Sequence, residues 1–200
     1  MDQRACEALE NAIPTMKPLD DETLMNRYRE GDLGAFDQLY ERHRAPLFRY
    51  IRRQVSEETL AEELYQEVWL RVIRARNQWV AGKGFRPWLY RIAHNRVVDH
   101  WRARRPPTEA VEEEKVVALH GNWPETWLTI RDCVERLFAL LGGLSEPQRS
   151  AFLLKEEGGL SLKQIAEITG VGHETVKSRL RYALGRLRQG LEDCDESAHY

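Results

Sequence analysis

A proline pair, Pro106-Pro107, constrains this chain more than any other feature. Neither ring nitrogen can donate an intrahelical hydrogen bond, so a helix arriving from the N-terminal side stops there. The stretch that follows, PPTEAVEEEKVVALHGNWPET, holds an acidic cluster and no sustained apolar period, which is the signature of a linker. On both sides of it apolar residues recur at helical spacing, and no segment alternates apolar and polar residues between turn signals. The expected fold is therefore all-α, with two small helical domains joined by a flexible acidic linker. The expected boundaries are an N-terminal extension 1–19, a first domain 20–105, the linker 106–125, a second domain 126–190 and an acidic tail 191–200.

Charge follows the same division. The net charge of −2 conceals two basic blocks, one on each side of the acidic linker, and a tail whose charged residues are all acidic. Such segregation points to polyanion contacts at two places, although ordinary solvated surfaces are also compatible with it. No apolar run approaches the roughly 18–20 residues of a membrane-spanning helix, and the N-terminus lacks the apolar core of a secretory signal. Cys6, Cys133 and Cys194 are scattered and odd in number, with no Cys-x-x-Cys pair. A reducing, cytoplasmic setting is expected, without a thiol metal site.

Within the first block, Asp20 or Asp21 opens a helix that breaks at Gly31. A second helix runs from about Gly34, with Pro46 as a kink or boundary, and Ser56 is placed to cap a third. Leu60, Leu64, Val68 and Val72 of that third helix recur every four residues, the spacing of one face. After the glycine-bearing loop 81–84, a fourth helix spans about 86–104. In the second block helicity resumes near Trp127 and stops at Gly142-Gly143. Two capping boxes follow, Ser145 with Gln148 and Ser161 with Gln164, and a long helix begins near His173.

The segment SLKQIAEITGVGHETVKSRLRYALGRLR, 161–188, has the proportions of a helix-turn-helix. Ala166 permits a close crossing, Gly170 supplies the turn, and Val176 buries the second helix against the first. Ile165, Val171, Leu180, Leu184 and Leu187 complete an inner stripe. Because the second helix of this motif enters the major groove N-terminus first, His173, Glu174, Thr175, Lys177, Ser178, Arg181 and Tyr182 are the candidate DNA contacts. A helical hairpin with a solvated basic face would satisfy the same pattern.

The segment FRPWLYRIAHNRVVDHWRARR, 85–105, interleaves large rings with arginines. On a helical wheel Leu89, Ile92, Ala93 and Val97 face the core, whereas Trp88, Arg91, Asn95 and Arg102 share a flank. Rings that stack on unpaired bases contribute about 1–3 kcal/mol each while cations hold the backbone, and a base swung out of its stack can be read in a polar pocket. Trp79, Lys83, Phe85 and Arg86 extend this composition into the preceding loop. No His-Glu-x-x-His and no glycine-rich phosphate loop occurs. Neither a catalytic residue nor a metal or other cofactor is therefore expected.

The blocks GDLGAFDQLYERH (31–43), AEELYQEVWLRV (61–72), FRPWLYRIAHNRVVDHWR (85–102) and LSEPQRSAFLL with the helix-turn-helix (144–188) resemble, in order and spacing, those of bacterial sigma factors of the extracytoplasmic-function (ECF) group in the sigma-70 family. The resemblance implies two domains. Sigma region 2 binds the clamp helices of RNA polymerase β′ and melts the −10 element; region 4 binds the β flap and reads the −35 element. It implies polymerase contact through Glu63, Gln66, Glu67 and Trp69. It implies −10 recognition and melting through Trp79, Phe85, Arg86, Trp88, Tyr90, Arg91, Asn95 and Arg96. Lys177, Ser178, Arg181 and Tyr182 match the −35 contacts. Core polymerase, promoter DNA and an anti-sigma factor are the partners it implies. The alternative is a dimeric helix-turn-helix regulator that binds duplex DNA unaided.

Overall fold

The computed structural model describes residues 18–104 and 125–196, with side chains at 18–104 and 133–191. The linker and most of the expected N-terminal extension lie outside the described residues, as does the end of the acidic tail. The described residues form helices and no strand. In chain order these are α1 (Asp21–Arg29), α2 (Leu33–Arg52), α3 (Glu58–Arg74), a short 3-10 turn (Arg76–Gln78), α4 (Phe85–Arg104), α5 (Glu125–Gly142), α6 (Glu146–Glu156), α7 (Leu162–Thr169) and α8 (His173–Glu196).

Local chemistry accounts for most of these limits. Asp20 caps α1 by accepting from the Thr23 amide at 2.8 Å, and Asp32 caps α2 by accepting from the Ala35 amide at 3.1 Å. The cap of α3 is Glu57, which makes no side-chain cap bond, so the capping role expected of Ser56 is not realised. Pro46 neither ends nor divides α2, which continues through it. Ser161 and Gln164 form a reciprocal capping box, with bonds of 2.9 and 3.3 Å. At Ser145 the corresponding bond from its amide to Gln148 is a longer 3.4 Å.

The first module is α1–α4. Its interior is built around rings: Tyr28, Phe36, Tyr40, Trp69 and Tyr65 form a chain with successive centroid separations of 4.8–6.4 Å. Trp79, Phe85 and Tyr90 are buried in the same core. At its edge Asp21 accepts from Arg42 and bonds His43 at 2.8 Å. Burial pushes the Asp21 carboxyl up, but His43 and Arg42 outweigh it and hold it below the usual carboxylate range. In the second module, α5–α8, α8 packs against α5, α6 and α7. Leu184 is 40% exposed and stands outside the inner stripe assigned to it.

The modules are in contact. A single buried apolar cluster runs from Leu24 and Trp69 of the first to Leu154, Leu160, Ile165 and Val176 of the second. Cys133 is disulfide-bonded.

His94 on α4 is buried, with its Nδ1 3.3 Å from the Tyr50 hydroxyl. Burial, reinforced by the charges of Arg179 and Arg102, pushes its pKa down to about 4. An unfolded histidine titrates near 6.5, so between those values the unfolded chain binds more protons and stability falls as pH falls. Melting temperature is expected to decline between about pH 6.5 and 4, with a shallower decline for His94→Gln. Parallel curves would show that another group sets the slope.

Candidate nucleic-acid interface

In the first module, packing sorts the candidate residues of α4 into two groups. Phe85 and Tyr90 are core, and Trp79 lies 2% exposed beneath the preceding loop. None of these rings is available to stack on a base in this conformation. They hold the helix rather than face the solvent. Arg86, Arg91 and Asn95 are exposed, and Trp88 is half-buried with its ring 6.0 Å from that of Phe85. The expected flank of Trp88, Arg91 and Asn95 is therefore present. Arg96 is half-buried and ion-paired with Glu67 of α3, which keeps the Glu67 carboxyl below its usual range.

The loop before α4 is shaped by Gly82 and Gly84, at φ 82° and 74°, a region that residues with a Cβ rarely occupy. Its Gly82 amide donates to Glu22 of α1 at 2.7 Å, tying the loop to the module. Beside it the C-terminal turn of α3 and the middle of α4 enclose a surface hollow of about 270 Å³. Arg71, Arg74, Ala75, Gln78, Ile92 and Asn95 line it. Only Asn95 of these was expected at a DNA site. The signal for the others was Arg71 and Arg74 three residues apart in a helix's last turn, a pattern equally common as a cap for the helix dipole.

On α3, Glu63 and Gln66 are exposed, and Leu70 and Ile73 share their face at steps of three and four. Leu70 is 48% and Ile73 37% exposed, an apolar strip open to solvent. Trp69 borders this face, but its ring is buried against Phe36, Tyr40 and Tyr65. Of the four residues assigned to polymerase contact, Glu63 and Gln66 lie on an open surface. Glu67 is held by Arg96, and Trp69 is core. Counting along the helix missed Leu70 and Ile73 because exposed apolar residues look like core residues in a sequence.

In the second module, α7 ends at Gly170, which adopts the left-handed conformation at φ 68° and ψ 29°. The turn closes with the Val171 amide donating to the Ala166 carbonyl at 3.2 Å. Val176, Leu180, Ala183 and Leu187 of α8 are buried. His173, Glu174, Thr175, Lys177, Arg181 and Tyr182 are exposed, and Ser178 is half-buried. Lys177 bonds Glu174 at 2.9 Å and, with His173, lowers the Glu174 carboxyl pKa. The N-terminal half of α8, where Lys177, Arg179 and Arg181 outnumber Glu174, thus faces outward, the arrangement that major-groove reading requires.

Among the described residues no group of three or more His, Cys, Asp or Glu could hold a metal, and no helix is long and apolar enough to cross a membrane. Residues 39–106 match the Sigma-70 region 2 family and residues 134–187 the Sigma-70 region 4 family. The chain is 31% identical over 182 residues to RNA polymerase sigma-H factor of Pseudomonas aeruginosa, covering 86% of this chain and 94% of that one. It is 30% identical over 171 residues to the ECF RNA polymerase sigma-E factor of Haemophilus influenzae, covering 81% and 90%. Its fold is similar to CnrH in a complex with the cytosolic domain of CnrY, at a TM-score of 0.65 and 24% identity over 86% of this chain and 97% of that one. RpoE from Bartonella quintana, solved with the anti-sigma factor NepR, is similar at a TM-score of 0.61 and 23% identity over 78% and 96%. A ring-filled four-helix module before the proline pair and a helix-turn-helix after it, both matched in order, make this chain a member of the sigma-70 family, in its ECF group.

Proposed function

We propose that this sigma factor engages core polymerase through the open face of α3, captures melted −10 DNA on α4, and reads −35 duplex with α8. The observation that carries the reading is the clean sorting of α4. Its rings are split between Phe85 and Tyr90, which are core and fix the helix, and two half-buried tryptophans, of which Trp88 stands beside Arg91 and Asn95. A duplex-binding dimer has no use for such a flank, since paired bases offer no face to stack on.

The roles divide by chemistry. Trp88 offers a ring to an unstacked base, while Arg86 and Arg91 neutralise phosphates. The hollow between α3 and α4 offers Asn95, Gln78, Arg71 and Arg74 to the edge of a single base. Glu63, Gln66, Leu70 and Ile73 form the polymerase face, an apolar strip with a polar rim. Lys177, Ser178, Arg181 and Tyr182 face the −35 groove, with His173, Glu174 and Thr175 at the entering end. Core polymerase supplies all bond-making chemistry in this scheme. An anti-sigma factor, of the kind seen with the Bartonella quintana neighbour, would act by covering these same surfaces.

Reconstitution with core polymerase tests the parts separately. Trp88→Ala should leave polymerase binding intact and reduce permanganate reactivity of promoter thymines; unchanged melting would remove Trp88 from the mechanism. Ile73→Lys should weaken core binding about tenfold or more, as expected for a charge placed in a buried apolar interface, with the melting temperature of the free chain unaltered. Retained core binding would move the polymerase face elsewhere. Arg181→Ala should cost about 1–3 kcal/mol on −35-dependent promoters if it reads a base. An equal loss on every promoter would make it a phosphate contact.

A further inference from the structure

Where the end of α2 meets α5 and α6, the surface folds inward around a cavity of about 220 Å³. No residue given a role in polymerase or DNA contact lines it. Its wall offers three kinds of group. Phe48 and Phe138 supply two rings, the first braced edge-on by Tyr65 at 5.4 Å and the second lying under the Arg53 guanidinium at 5.7 Å. Arg52, Arg53 and Arg149 supply positive charge against one lining carboxylate, that of exposed Glu58. Arg53 is matched by Glu157. Arg52 is held differently: its Nη1 donates to the Val55 and Ser56 carbonyls, each at 3.1 Å. Those carbonyls fix the guanidinium without cancelling its charge, and its Nε and Nη2 have no partner among the described residues. Gln54, 1% exposed, completes the wall. Its Nε2 donates to Ser150 at 3.0 Å, whereas its buried Oε1 has no hydrogen-bond partner. Native structures seldom leave such an oxygen unpaired.

We propose that this cavity binds a small aromatic acid carrying a ring hydroxyl, a ligand of hydroxybenzoate size. Each part of the ligand answers one part of the wall. The Nε–Nη2 edge of Arg52 is a fork of parallel donors that matches the two oxygens of a carboxylate. Phe48 and Phe138 receive the ring in offset or edge-on contact. The hydroxyl donates to Gln54 Oε1, an acceptor that only a donor can satisfy. Size narrows the class further, because drug-sized ligands occupy pockets of about 300–1,000 Å³, and a nucleotide is therefore too large. Inorganic phosphate answers the charge and leaves the two rings and the glutamine oxygen unanswered.

Titration of the full chain with 3- and 4-hydroxybenzoate, followed by calorimetry and NMR, tests the site. One isomer should bind saturably, one to one, and its ring protons should show Overhauser contacts to Phe48 and Phe138. Benzoate should bind several-fold more weakly, and cyclohexanecarboxylate and inorganic phosphate more weakly still. Arg52→Gln should weaken binding about tenfold or more, the change expected when a charge-assisted hydrogen bond is lost. Arg52→Lys, which keeps the charge without the fork, should recover only part of it. Should Arg52→Gln unfold because Val55 and Ser56 lose their tie, the Overhauser contacts in the wild-type chain decide alone. Lack of saturable binding by both isomers, contacts to other side chains, or benzoate or phosphate binding as tightly as the hydroxybenzoate overturns the proposal.

Discussion

Everything the first module does depends on burying Trp69, Trp79, Phe85 and Tyr90. Large rings of this kind each remove roughly 150–250 Å² from water, and here they fix α4 against α2 and α3 from below. On the proposed reading α4 seizes flexible, unpaired DNA, and such a helix has to be rigid before the DNA arrives, because any ordering left until binding is subtracted from affinity. The core rings supply that rigidity. They set the rotation of α4 so that Trp88, Arg91 and Asn95 emerge together and Asn95 meets the hollow beside Arg71 and Arg74. Glu67 adds a polar clamp, holding Arg96 and so fixing α4 to α3.

Much of this was legible in the sequence. The α7–α8 turn was readable because a left-handed turn demands a residue such as Gly170, and the buried Val176 stands at the spacing that two crossed helices impose. The caps at Asp20 and Ser161 were readable because a side-chain oxygen near an unpaired amide is a local event. The aromatic assignments were less legible. Trp79, Phe85 and Tyr90 share the composition of Trp88, and composition cannot tell a ring that lies under a helix from one that lies beside it. Periodicity would have placed Phe85 with Leu89 on the inner side, and a wheel begun one residue earlier would have separated it from the solvent flank. Trp69 was hard to place for a related reason: it borders the face of Gln66 and Ile73 on the helix, and only packing against Phe36, Tyr40 and Tyr65 turns its ring inward.

The contact between modules lay beyond any local pattern. Glu157 is more than one hundred positions from Arg49 and Arg53, across a proline pair that in a sequence signals separation. Linkers permit both outcomes. Joining two modules in one chain raises the effective concentration of one at the other, to the millimolar range for a short flexible link, so even a weak interface can close.

The composition of the interface sets how the modules hold together. Arg49 is half exposed, and a pair of that kind contributes little on its own, about 0–1 kcal/mol. The enclosed Glu157 carboxylate and the buried Gln54–Ser150 bond add to it. Beneath them one apolar cluster joins the first module to Leu154, Leu160, Ile165 and Val176. The burial of those side chains supplies the attraction, and the directional polar pairs around it fix where the two modules meet.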